Sequence, residues 1–173
     1  MEQKDKLNGL LCLLLLCYSI PIFFVWKTYN ENNTLSNVLN KKDICNIVSV
    51  FMLSMCIVTL LYEHIKNDKI NIYLIISLLL FIQGIIHIDE NKISHKIITV
   101  LTSLVIVIYM IYNTFKYKYN MLWLYIILGV FLIWRIITGH LNDKEIFKEE
   151  VSFLVIFALF FIHSHCLFVK RIE

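Results

Sequence analysis

Six stretches nearly free of charge alternate with short polar segments along the chain: 7–26, 44–62, 70–88, 94–112, 121–139 and 151–168. Coiled as helices, runs of about twenty apolar residues match a hydrocarbon core about 30 Å thick. In lipid every backbone N–H and C=O must be satisfied by the protein, so only helices or closed barrels cross. The runs lack the apolar/polar alternation of barrel strands. The expectation is an all-α membrane protein: six transmembrane helices in an up-and-down bundle with short loops, one integral domain over 1–173, and both termini on the same side.

Composition supports this reading and removes others. The chain is 59% hydrophobic with a mean hydropathy of +0.73, more apolar side chain than one soluble core hides. Its net charge is only +3 and its lysines are scattered among loops, which excludes a nucleic-acid-binding surface. Cys12, Cys17, Cys45, Cys56 and Cys166 form no CxxC and no disulfide framework. They read as buried apolar residues, with Cys166 an acylation candidate if its helix end is cytoplasmic. The first run reads as a span, not a cleaved signal, because it is long and its leader mixes acids with lysines. Pro21 is expected to kink it mildly.

The longest polar loop, 27–43, carries the sequon Asn32-Asn33-Thr34. A glycosylated Asn32 places that loop outside and the termini in the cytoplasm. Lys and Arg counts, eight on the inner side against seven on the outer in that arrangement, do not decide orientation. The basic aromatic turn 115–120, FKYKYN, belongs at headgroup level.

The topology gathers polar residues on one membrane face: His87, Asp89, Glu90, His95, Arg135, His140, Asp143, Glu149 and Glu150. This cluster is a candidate structural clamp or ligand-contact site. Arg135 lies within the fifth run, at a depth where a charge must pair or snorkel. An ion pair with Asp89, Glu90, Glu149 or Glu150 is the favoured solution; snorkelling and a headgroup contact are the alternatives. The imidazoles also invite a zinc reading through His87, His95 and His140, with Asp89 or Glu90 as ligand or base. No paired-ligand motif such as HExxH is present, and His163 and His165, at i and i+2, face different directions on a helix. Neither a nucleophile motif, a glycine-rich phosphate loop nor a selectivity-filter sequence occurs. Catalytic residues are therefore not assigned, and no cofactor is expected outside the zinc alternative.

Leu35-Ser36-Asn37 before the second run, with Ser94-His95 opening the fourth and Tyr109 fourteen residues after His95, resembles the DRAM/Frag/Sfk group of six-span membrane proteins. The prolines that follow the Ser-Asp element in that group are absent here, and Lys96-Ile97-Ile98-Thr99 stands where small residues follow the histidine. The resemblance implies a non-enzymatic multi-pass protein acting through lipid or protein contacts, its partners the bilayer, a lipid headgroup or a membrane protein. A fainter likeness, carried by His87, is to the CREST group of membrane hydrolases. It implies the enzymatic alternative, a metal-dependent intramembrane lipid hydrolase.

Overall fold

The computed structural model describes residues 2–28, 42–66, 72–85 and 92–172. These residues form six α-helices and, among them, no strand: α1 (Glu2–Thr28), α2 (Lys42–Lys66), α3 (Ile72–Ile85), α4 (Lys92–Tyr117), α5 (Leu122–Thr138) and α6 (Asp143–Ile172). The protein is all-α, as the charge-free runs dictate. Four helices are long and apolar enough to cross a membrane, over Gln3–Lys27, Asn46–Lys66, Ile97–Tyr117 and Lys144–Ile172. Ile72–Gln83 and Leu122–Thr138 are apolar but shorter. Such helices fit an integral membrane protein.

The described residues fall into two compact units: the first holds α1, α2, α3 and α4 as far as Val105, the second α4 from Ile106, α5 and α6. In the first, α1 and α2 run antiparallel, pinned where Gln3 Nε2 donates to the carbonyl of Ile65 at 2.9 Å. Their buried positions recur every seven residues: Leu7, Leu14 and Pro21 on α1, Val48, Met55 and Tyr62 on α2. That repeat keeps one seam facing a partner helix. The helix runs unbroken through Pro21. α2 packs antiparallel on α3 through a bond of 2.9 Å between the hydroxyls of Thr59 and Ser77, both fully buried. Gln83 Nε2 donates to Thr99 Oγ1 at 3.0 Å, tying the end of α3 to the early turns of α4.

In the second unit α4 and α6 run parallel, since Tyr109 packs on Phe157, Phe160 and Phe161 while Tyr117 lies under Arg171. The chain returns between them along α5. Gly129 is buried there because the Phe153 ring of α6 lies against it, 3.4 Å from where a Cβ would stand. Small residues at such contacts let helices pack closely where the hydrophobic effect offers no drive between them.

The outward faces are apolar: Leu16, Phe23, Ile57, Leu104, Ile127 and Trp134 are all about half exposed or more. Several polar side chains are inside, among them Thr59, Ser77, Thr102, Asn113, Thr114 and Ser164. The hydroxyls of Thr102, Thr114 and Ser164 donate to carbonyls one turn back in their own helices, and Asn113 Nδ2 does the same to Tyr109. Each bond removes an unsatisfied donor, which in lipid costs several kcal/mol, about 2–7.

Several helix boundaries differ from the sequence expectation. Residues 63–66, expected in a charged turn, are the last turn of α2, with Glu63 and Lys66 buried. The Lys66 stem lies along Tyr62, its Nζ 5.9 Å from the ring centroid, so the charge leaves the helix end over an aromatic face. α4 continues to Tyr117, three residues into the expected turn. Residues 143–150, expected in a loop, are the first two turns of α6. The cysteines also differ: Cys56 is buried, but Cys12 and Cys166 are exposed and Cys17 half-buried.

Candidate functional site

α5 ends where Gly139 leaves the helix with extended backbone and its N–H closes on the Arg135 carbonyl at 2.8 Å. Only three residues later Asn142 caps α6. Asn142 Oδ1 accepts from the Glu145 N–H and Glu145 Oε2 accepts from the Asn142 N–H, both at 3.0 Å. This reciprocal box satisfies two donors that a helix start leaves open. It fixes the direction in which α6 departs, and so the position of Glu149 one turn further on.

Arg135 Nη1 and Glu149 Oε1 then meet at 2.7 Å. The guanidinium side chain is 42% exposed and the carboxylate side chain 12%. The arginine can thus reach the polar boundary while neutralising the more buried acid. Glu150, next along the helix, is half-buried, and His140 is exposed in the α5–α6 connection.

The remaining residues of the expected polar face fall differently. His87, Asp89 and Glu90 lie outside the described residues, as does the sequon Asn32. His95 belongs to the first turn of α4, in the first unit, and Asp143 is the first residue of α6; the side chains of both lie outside the description. The residues brought together are therefore Arg135 and Glu149. Among the described residues no group of three His, Cys, Asp or Glu side chains is arranged to hold a metal ion.

A second polar constellation lies at the opposite end of the same unit. Lys118, at φ 53°, turns the chain out of α4, its N–H bonded to the Thr114 carbonyl at 2.9 Å. The turn sets Tyr119 edge-on to His163, with ring centroids 5.1 Å apart. Tyr125 approaches the same imidazole, its hydroxyl 3.4 Å from Nδ1. Beside them the buried Tyr117 ring lies under Arg171, at 5.3 Å, and under Lys116, at 5.8 Å. The sequence gives His163 no partner. The available signal was the tyrosine run of the α4–α5 turn, which an antiparallel return along α5 brings level with α6.

The first unit holds its own buried polar layer, in which Thr59, Ser77, Tyr62, Glu63 and Lys66 gather near the end of α2. Comparison with protein-family models, curated proteins and solved structures finds no match for this chain.

Proposed function

We propose that the chain is a multi-pass membrane protein of six crossings that works through contacts with lipid or with a membrane-protein partner, in the manner of the DRAM/Frag/Sfk group it resembles, and carries no catalytic chemistry. The observation that carries this reading is the Arg135–Glu149 pair. The arginine standing within a membrane helix is joined to an acid of the neighbouring helix, and so serves the packing of α5 on α6. The buried hydroxyls, bonded to their own helices, support the same reading.

Direction supports a crossing by α5, one of the two shorter helices that the six-crossing reading needs. With α4 and α6 parallel, α5 must carry the chain from the Tyr117 end back to the Glu149 end. Its 17 residues reach about 26 Å at 1.5 Å per residue, and a deficit of a few ångströms is met by local thinning of the bilayer. An even number of crossings puts both termini on one side, and we assign that side to the cytoplasm.

Glycosylation-acceptor scanning tests the topology. Acceptors in the 139–142 connection and the native Asn32 are expected to be modified, and an acceptor in the 118–121 turn is not; the same result at both turns of α5 would remove its crossing. Elemental analysis of purified protein tests the absence of catalytic metal: stoichiometric zinc, lost in His87→Ala, would replace this reading with the hydrolase.

A further inference from the structure

The two ends of the second unit differ in charge. One carries Arg135, Lys144 and Lys148 together with four acids, Asp143, Glu145, Glu149 and Glu150. The other carries Lys116, Lys118, Lys170 and Arg171, and no acid occurs from Asn113 to Thr138 or from Val151 to Ile172; Glu173 lies outside the described residues. The four cations come from segments more than fifty residues apart in sequence, and the parallel packing of α4 and α6 brings them together. Tyr117 is the pivot. Its ring has the Arg171 guanidinium and the Lys116 ammonium each within 6 Å of its centroid, so one aromatic side chain gathers a cation from each helix. Lys118, Lys170 and Arg171 are exposed around it. Immediately to the apolar side, Phe115 and Trp123 form an edge-to-face pair at 5.5 Å, Phe115 64% exposed, the arrangement of rings that settles at the junction of acyl chains and headgroups.

We propose that this end of the unit is a binding surface for anionic phospholipid headgroups, with Lys116 and Arg171 over Tyr117 as its centre and Lys118 and Lys170 as its rim. The inference rests on the membrane reading above and names the lipid class with which the protein makes contact. A phosphate placed here meets cations drawn from both helices, while the Phe115–Trp123 pair beds the acyl chains. The acid-bearing opposite end offers no comparable field. Anionic lipid is concentrated in the cytoplasmic leaflet, so the same surface fixes the orientation of α4 and α6.

The test uses the full chain in phosphatidylcholine nanodiscs containing a minor share of phosphatidylserine, reading the lipids that remain bound by native mass spectrometry. Wild-type protein is expected to retain phosphatidylserine in preference to phosphatidylcholine. The exposed triple variant Lys118→Gln, Lys170→Gln, Arg171→Gln retains roughly a hundred-fold less, from the contribution of each cation at an anionic surface. Lys144→Gln with Lys148→Gln keeps the wild-type value. Raising the salt concentration weakens retention by the unaltered protein, a readout that needs no variant to fold. Absence of the preference in wild type, equal retention by the triple variant, equal loss in the Lys144/Lys148 variant, or retention insensitive to salt would each overturn the proposal. Resistance of the wild-type protein to alkaline extraction from membranes separates the two claims: release would remove the membrane reading and this surface with it, while an inserted protein without lipid preference removes the surface alone.

Discussion

Arg135 in the last turn of α5 and Glu149 in the second turn of α6 are held 2.7 Å apart across a connection of four residues, 139–142. The chain reverses so tightly because Gly139 ends one helix and the Asn142–Glu145 box begins the next. The ion pair is the product of that reversal, and its exposure is unequal, so its two halves respond differently to substitution.

Glu149→Ala leaves a guanidinium that is 42% exposed and can turn to the boundary. Arg135→Ala leaves a carboxylate whose side chain is 12% exposed, with less means of escape. The arginine variant is therefore expected to lose more stability, about 1–3 kcal/mol against about 1 or less for Glu149→Ala. Thermal unfolding in detergent ranks the two. The double variant is expected to be less destabilised than the sum of the singles.

At Gly139 the obstacle is steric. A Cβ there would overlap the Arg135 carbonyl oxygen and press on the Leu141 side chain. Gly139→Ala is expected to cost about 1–3 kcal/mol by forcing the end of α5 apart, with protease cleavage appearing in the 139–142 connection. Equal stability of the alanine variant would show that the helix end adjusts freely.

Gly129 offers a graded case. The nearest atom to a new Cβ is the flexible Phe153 ring at 3.4 Å, an ordinary contact. Gly129→Ala is expected to be neutral or slightly stabilising, and Gly129→Leu, which needs the space occupied by that ring, to destabilise by about 1–3 kcal/mol. Unfolding midpoints of the two variants in one detergent check the contrast.

The Thr59–Ser77 bond is buried at both ends. Ser77→Ala is expected to cost about 0.5–2 kcal/mol, the range of interhelical side-chain bonds in membranes. A double-mutant cycle with Thr59→Val isolates the pair, and a coupling near zero would mean that each hydroxyl is served by its own helix.

What the sequence by itself determined was the kind of structure. Long charge-free runs without apolar/polar alternation leave helix as the choice, since only helices and closed barrels satisfy the backbone in lipid, and the runs lie within or beside the six helices found. The end of α6 nearest Arg135 was also legible in part: Asn142 followed three residues later by Glu145 is a helix-start signal that carries α6 back over 143–150, although the density of charge there reads as loop. Helices extend past their apolar runs because charged first turns and last turns still form backbone bonds. Tertiary structure alone decided which charges meet. Arg135 had acids available at several sequence distances, and its pairing with Glu149 depended on how tightly α5 turns into α6. The gathering of Lys116 and Arg171 on Tyr117 had no sequence signal either, because it depends on α4 and α6 lying parallel, and one-dimensional periodicity states which face of a helix is buried without stating against which helix it is buried.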